Sequence, residues 1–175
     1  YSLAANQNFK EAQYNLGFIF INLNDVIKGI NLLIQSSLNG HIDANFYVGF
    51  FYQEGKHVLK DIKKSIQYYK EASSFDNQFA KNNLGILYKN GNEERVPKNI
   101  GNAIEYFEEA IRQKEDKLSM YNLSHIYLFD SNNENIDKSI DLLFKSSKQG
   151  FLPSYELLCL ALIKKYGSDS IKIKS

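Results

Sequence analysis

Residues 44–73, with the sequence ANFYVGFFYQEGKHVLKDIKKSIQYYKEAS, contain two helical patterns in succession. The first pattern places a small residue at Ala44, an aliphatic residue at Val48 and a second small residue at Gly49. This spacing puts the three residues on one face of a helix, and Tyr52 extends that face by another turn. The first half of the stretch therefore predicts a helix whose small residues let a neighbouring helix pack against it.

The second pattern begins at Ser65 and ends at Ala72. These two small residues enclose the bulky apolar residues Ile66, Tyr68 and Tyr69. The spacing is again helical, and the small positions let a neighbouring helix approach closely. Together the two patterns predict a pair of packed helices joined by a loop.

The same pair of patterns recurs along the chain. The first pattern begins again at residues 12, 80, 119 and 154, and the second begins again at residues 29, 103 and 139. The spacing varies mainly through the inter-helix loops, which a stacked array of constant helical units tolerates. We therefore predict an all-α structure without β-sheet, with helices of about 11–14 residues and helix pairs that start near residues 10, 43, 78, 117 and 153.

Turn and cap residues lie where this pattern needs them. Gly40 and Gly150 come after second helices, where a left-handed cap is expected. Asp25 and Asp61 precede second helices and suit an N-cap or a first turn. Pro153 suits the start of a helix, because its missing N–H does no harm there.

The repeated unit resembles a known family, the Sel1-like repeat. The positions that match it in the second unit are Val48, Gly49, Tyr52, Gly55, Val58, Asp61, Lys64, Ser65, Tyr68, Tyr69 and Ala72. The third unit matches through Leu84-Gly85, Tyr88 and Gly91, whereas the first and fourth units are degenerate and Ser124 replaces a glycine. The resemblance implies a right-handed α-α superhelix, or solenoid, of helix pairs.

Two related repeat families share part of this pattern and fit the residues less well. Tetratricopeptide repeats share the Asn-Leu-Gly motif and the fold, but they usually keep a 34-residue period and a proline after the second helix, both of which are absent here. Pentatricopeptide repeats bind RNA, and the near-neutral charge of this chain argues against them. The Sel1-like assignment is the one that the residues favour.

The repeats predict a single array rather than separate domains. The expected repeats span residues 10–41, 42–77, 78–116 and 117–151, followed by a partial repeat at 152–175, with residues 1–8 as the tail of a preceding repeat. Ala4 and Ala5 fit the small positions of that tail, and Asp169 and Lys172 fit the start of a further second helix. We therefore expect the chain to be a segment of a longer array.

Composition narrows the classes of function. Lys and Arg number 21 against 20 Asp and Glu, a formal net charge of +1, which does not suit a nucleic-acid binder. No apolar run approaches the roughly 18 residues that span a bilayer. The one cysteine weakly favours a reducing compartment, so we expect a cytoplasmic or other intracellular location, with the endoplasmic reticulum lumen left open.

The sequence carries no motif for catalysis or for a cofactor. It lacks a glycine-rich phosphate loop, a His-Glu-x-x-His motif and a Cys-x-x-Cys motif, and its three histidines have no metal-ligand spacing. Cys159 stands where the family has a small glycine, so we expect it to be buried rather than nucleophilic. We expect a protein that is not an enzyme and that has no cofactor and no metal.

The binding surface is predicted from the first helix of each repeat. By resemblance to tetratricopeptide grooves, the residues two and six positions after the opening small residue should line the concave wall. These residues are Tyr14, Phe18, Phe46, Phe50, Asn82, Ile86, Tyr121 and His125. The rings are either open to a partner or packed against adjacent repeats, and the sequence leaves both arrangements open.

Two classes of function follow from this surface. The first is a non-catalytic scaffold or adaptor that binds a peptide or helix of another protein in the concave groove, with Phe18, Phe46, Phe50 and Tyr121 as main contacts. The alternative is an architectural subunit of a large assembly, or a regulatory repeat region of a larger multidomain protein such as a kinase. For both classes we expect the partner to be a protein, and we expect neither nucleic-acid binding nor membrane insertion.

Overall fold

The computed structural model describes residues 9–91, 96–130 and 135–167. Within these ranges the chain forms nine α-helices and no β-sheet, so the predicted all-α fold is confirmed. None of the helices described is long and apolar enough to cross a bilayer. The predicted tails at Ala4, Ala5, Asp169 and Lys172 lie outside the described residues.

The helices alternate between the two patterns of the sequence. The first helices are α1 (Lys10–Asn22), α3 (Ile42–Glu54), α5 (Gln78–Asn90), α7 (Lys117–Phe129) and α9 (Pro153–Tyr166). The second helices are α2 (Val26–Leu38), α4 (Ile62–Ser74), α6 (Ile100–Lys114) and α8 (Ile136–Lys148). Every first helix begins within one residue of its predicted start, and α6, with 15 residues, is the one helix longer than predicted.

Helix caps explain several of these boundaries. Asp61 accepts a hydrogen bond from the backbone N–H of Lys64 at 3.1 Å, as the sequence predicted for the start of α4. Asp25 also stands at an N-cap, but its side chain accepts no capping hydrogen bond. Gly40 and Gly150 adopt φ values of 80° and 75°, the left-handed conformation expected after α2 and α8.

The chain divides into two compact units between Leu84 and Gly85. Unit 1 comprises α1 to α4, the part of α5 up to Leu84, and the loop residues Val96 and Pro97. Unit 2 comprises the rest of α5 and the helices α6 to α9. In unit 1, α1 packs on α2, α2 on α3, and α3 on α4, while in unit 2 α7 packs on both α6 and α8, and α8 packs on α9.

The small residues of the first helices lie at close helix contacts, as predicted. A Cβ atom on Gly49 would lie 2.8 Å from Cδ1 of Tyr69 in unit 1. In unit 2, a Cβ atom on Gly85 would lie 2.5 Å from Cε1 of Phe107. Because the facing side chains are buried rings, each glycine lets the two helices of its repeat approach closely.

In the fourth repeat a serine pair replaces this glycine contact. The hydroxyl of Ser124 donates to the carbonyl oxygen of Met120 at 2.6 Å. The hydroxyl of Ser139, on α8, donates to the carbonyl oxygen of Ser124 at 3.2 Å. Both side chains are buried, so these hydrogen bonds satisfy polar groups that would otherwise be costly to bury.

The prediction that Cys159 is buried is wrong. Cys159 is exposed on α9, although its position in the repeat matches that of Gly49 and Gly85. Those glycines are covered by the second helix of their own repeat. In the part of the chain that the structure describes, no second helix follows α9 to cover Cys159.

Candidate functional site

In unit 1 three of the predicted groove residues, Tyr14 and Phe18 of α1 and Phe46 of α3, lie in one cluster of rings. Tyr14 and Phe18 meet edge to face with their centroids 5.0 Å apart, and Phe18 meets Tyr47 at 4.7 Å. Phe46 contacts Tyr47 at 5.1 Å and Phe79 at 5.8 Å. Edge-to-face pairs of this kind are favourable beyond the apolar area that they bury.

We name this set the unit-1 aromatic cluster. Its members are Tyr14, Phe18, His41, Phe46, Tyr47 and Phe79. All of them are half-buried except Phe79, which is 51% exposed. The rings therefore pack on one another and still present part of their surface to solvent, an arrangement between the two that the sequence left open.

His41 joins the cluster through both its ring and its position at the start of α3. Its ring stacks on Tyr14 at 4.2 Å with an interplanar angle of 9°. Its Nδ1 atom accepts a hydrogen bond from the backbone N–H of Ala44 at 3.3 Å, so this nitrogen carries no proton. Burial lowers the pKa of His41, which agrees with a neutral ring that caps the helix.

The surroundings of Tyr14 keep its hydroxyl protonated. Burial raises the pKa of Tyr14 to about 12, and the neighbouring Tyr47 and Asp43 act in the same direction. The cluster is therefore uncharged at neutral pH and offers aromatic area with few polar groups. Such a surface suits contact with apolar side chains rather than proton transfer.

The other two predicted residues of unit 1 lie apart from these rings. Phe50 is 40% exposed on α3, and its ring pairs with that of Phe51 at 6.1 Å. Asn82 is buried in α5 with 7% of its surface exposed, so it has little surface to offer a partner. Of the five residues predicted in unit 1, the structure brings together Tyr14, Phe18 and Phe46.

The three remaining predicted residues, Ile86, Tyr121 and His125, lie in unit 2, and each has different neighbours. Tyr121 meets Phe151 edge to face at 5.4 Å. His125 lies 4.6 Å from Phe129, whose ring is 51% exposed. Ile86 is half-buried and packs against the core formed around Phe107.

His125 has an unusual environment. Its Nδ1 atom is buried and has no hydrogen-bond partner among the described residues. Burial lowers the pKa of His125, and the nearby Lys89 lowers it further, so the ring is neutral at neutral pH. No group of three or more His, Cys, Asp or Glu residues in the described ranges could hold a metal ion.

Sequence reasoning missed three members of the unit-1 aromatic cluster. Tyr47 lies three positions after Ala44, outside the two positions from which the groove was predicted, and asparagine stands at this position in the first, third and fourth repeats. His41 directly precedes α3, as Asp116 precedes α7, but histidine is not among the residue types that signal an N-cap. Phe79 adjoins the opening Ala80 and carries no periodic signal of its own.

Comparisons with known proteins agree with the repeated helix pairs. The family model of the Sel1 repeat matches residues 10–41, 42–74, 78–115 and 117–151. A sel1-like repeat-containing protein of Acanthamoeba polyphaga mimivirus is 31% identical over 91 residues, which cover 52% of this chain and 17% of that protein. This chain therefore spans about a sixth of the length of that relative.

Solved structures show the same fold. A Sel1 repeat protein from Oxalobacter formigenes superposes with a TM-score of 0.80 at 23% identity, covering 94% of this chain and 68% of the other. A protective antigen of uropathogenic Escherichia coli that displays an SLR fold superposes with a TM-score of 0.84 at 24% identity. That match covers 94% of this chain and 36% of the antigen.

Proposed function

Because this chain belongs to the Sel1 repeat family, whose repeats are generally protein-interaction scaffolds, we propose that it is a non-catalytic adaptor that binds a segment of another polypeptide. The binding surface is the face of the first helices that carries the unit-1 aromatic cluster. Its main contacts are Phe46, which belongs to the cluster, and the exposed Phe50, which lies outside the cluster but one helical turn after Phe46 on the same face of α3. The observation that supports this choice is the convergence of three predicted groove rings on one surface.

The physical advantage of this cluster is its preorganisation. The rings already contact one another, so a partner does not need to order them on binding. Aromatic anchors of this kind commonly dominate the energy of a protein interface. The uncharged cluster thus suits an apolar stretch of the partner, such as one face of a helix.

The proposal is tested by capture of partners from the native source. Phe46→Ala and Phe50→Ala should each weaken partner binding by about 2 kcal/mol or more, roughly a thirtyfold or greater loss of affinity. Phe75→Ala is the matched control, because Phe75 is exposed at the end of α4 and belongs to no ring pair of the cluster. Circular dichroism of each variant checks that it still folds.

Two outcomes contradict the proposal. One is unchanged partner recovery with both Phe46→Ala and Phe50→Ala. The other is an equal loss with the Phe75→Ala control. If Phe46→Ala does not fold because the ring of Phe46 packs against Tyr69, Phe50→Ala carries the test, since Phe50 is 40% exposed.

A second candidate function is an architectural or regulatory repeat region within a larger protein. It is favoured by the length of the mimivirus relative, of which this chain spans only 17%. Cross-linking of the native protein followed by mass spectrometry separates the two candidates. Cross-links from the unit-1 aromatic cluster to other parts of the same polypeptide favour the second candidate, and cross-links to a different polypeptide favour the adaptor.

A further inference from the structure

Two consecutive repeats contain the same stacked pair of tyrosines. Tyr52 of α3 stacks on Tyr68 of α4 with centroids 5.8 Å apart and an interplanar angle of 9°. Tyr88 of α5 stacks on Tyr106 of α6 at 5.7 Å and 5°. In each repeat, therefore, a ring of the second helix covers the ring at the end of the first helix.

The fourth repeat keeps most of this arrangement and lacks one ring. Tyr127 stands at the position of Tyr52, and the ammonium of Lys138 lies 5.7 Å from the centre of its ring. Lys64 takes the equivalent place 5.1 Å from the ring of Tyr52. The position of Tyr68, however, is occupied by Leu142, whose side chain is smaller and cannot stack.

A cleft of about 600 Å³ opens at this position in unit 2. Its apolar lining comes from Ile111 of α6, Leu123 and Tyr127 of α7, and Leu142 of α8. The volume is in the range of small-ligand sites, about 300–1,000 Å³. Because Tyr127 is only 7% exposed, an entering group would contact chiefly Leu142 and Ile111, which are both half-buried.

We propose that this cleft binds an aromatic side chain of a partner polypeptide, packed against Leu142 and Ile111 beside the position at which the two preceding repeats carry Tyr68 and Tyr106. The aromatic chemistry of the occupant is inferred from the chain's own repeats, which carry a stacked ring at this position. The cleft lies between the second helices α6 and α8, so the inference goes beyond the proposed binding surface on the first helices.

The rim of the cleft carries charges of both signs, with Arg112 and Lys138 beside its carboxylates, and it can accept a hydrogen bond from a ring that carries a donor. Three carboxylates border it, and two of them, Asp137 and Asp141, are paired with Lys165 and Lys145. The third, Glu108, accepts a long hydrogen bond of 3.4 Å from the hydroxyl of Tyr127. A carboxylate has several acceptor sites, so Glu108 can also accept from the phenol of a tyrosine or the indole N–H of a tryptophan.

The experiment uses N-acetyl-L-tyrosinamide as the probe and protein labelled at the leucine methyl groups. On titration, the methyl resonances of Leu123 and Leu142 should shift and saturate, with a Kd on the order of millimolar for a ligand of this size. N-acetyl-L-leucinamide, the matched control probe, should bind at least tenfold more weakly. Leu142→Tyr restores the residue of the preceding repeats, and it should weaken the response of Leu123 to the tyrosine probe at least tenfold.

The proposal is overturned if neither leucine responds, if both probes act alike, or if Leu142→Tyr leaves the response of Leu123 unchanged. Should Leu142→Tyr not fold, Ile111→Trp fills the same cleft from α6 and must give the same loss. Phe46→Ala serves as the second control, because it removes a ring of unit 1 and should leave the response of Leu123 intact. Failure of this inference is thereby distinguished from failure of the adaptor proposal.

Discussion

Gly85 is a glycine because the ring of Phe107 lies where its Cβ atom would be. A Cβ atom on Gly85 would lie 2.5 Å from Cε1 of Phe107, closer than side-chain atoms pack in folded proteins. Phe107 is fully buried in the core of unit 2 and has no free space to move aside. The close approach of α5 and α6 thus depends on the missing side chain at this residue.

We predict that Gly85→Leu lowers the free energy of unfolding by about 1–3 kcal/mol, because it overpacks this contact. Gly101→Ala is the matched control on α6, where the added Cβ would contact only the side-chain oxygen of Asn99 at 3.4 Å. Gly101→Ala should change stability by no more than about 0.5 kcal/mol, since Gly101 is exposed in the first turn of α6. Urea unfolding measures the stability of both variants. A Gly85→Leu protein as stable as the wild type would contradict the close contact between Gly85 and Phe107.

His41 should make stability depend on pH. Burial lowers the pKa of its ring in the folded chain, against the opposing effect of Asp43 and Glu11. The unfolded chain therefore takes up the proton first as the pH falls through about 6.5, and the contribution of neutral His41, complete above that pH, is lost below it. Protonation of Nδ1 also removes the acceptor that caps α3.

We predict that His41→Asn flattens the fall in stability between pH 7.5 and pH 5.5. Asparagine is a good N-cap and can still accept from the backbone N–H of Ala44, but it does not titrate. Part of the pH dependence of stability that remains in the variant should come from His125, because burial also lowers the pKa of its ring. Thermal unfolding over this pH range gives the measurement, and an unchanged slope in the variant would show that His41 does not carry the effect.

At the scale of the element, the helices depend on side-chain caps at their starts. The caps of α4, α6, α7 and α8 are Asp61, Asn99, Asp116 and Asn135, each of which accepts a backbone N–H from the first turn. The sequence predicted the cap at Asp61 and did not single out the other three. Their polar residue types suit the N-cap, but whether a side chain turns back to the helix depends on the path of the preceding loop.

We predict that Asp116→Ala destabilises the protein by about 1–2 kcal/mol, because it removes the cap of α7. The carboxylate of Asp116 accepts from the backbone N–H of Ser119 at 2.7 Å and is largely buried. Asp25→Ala is the control, since Asp25 stands at the start of α2 without a capping bond and its loss should have little effect. Equal losses in the two variants would contradict the role of the cap.

The beginnings of the first helices could be predicted from the sequence, and the ring contacts could not. Helix starts depend on local periodicity and on cap and turn residues, so α1 and α9 begin where expected. The ring contacts depend on the tertiary structure, because side chains from different helices meet only after the helices pack. Tyr14 and Phe18 were predicted as separate groove positions, and only the structure shows that Tyr47 joins them.

At the scale of the whole molecule, each unit is stabilised by contacts between helices that follow one another along the chain. Such nearest-neighbour packing is typical of repeat arrays, in which each repeat contacts chiefly the next. It matches the four Sel1 repeats that the family model finds. Among the residues that the structure describes, no second helix packs on α9, and Cys159 and Leu160 are exposed there.

We predict that far-ultraviolet circular dichroism of the whole chain shows a helical spectrum without a strand component. The reason is that the described ranges consist of helices joined by loops. A matching infrared spectrum should contain a helical amide I band. Substantial strand content in either measurement would falsify the all-α architecture.

The sequence by itself determined the repeated helix pairs, their starts and the close contacts at Gly49 and Gly85. All of these follow from the helical period, which is a local property of the chain. The tertiary structure decided which side chains meet: it buried Asn82, exposed Cys159 and left the cleft beside Leu142. These outcomes depend on the size and shape of side chains on neighbouring helices, and no periodic pattern along one helix contains that information.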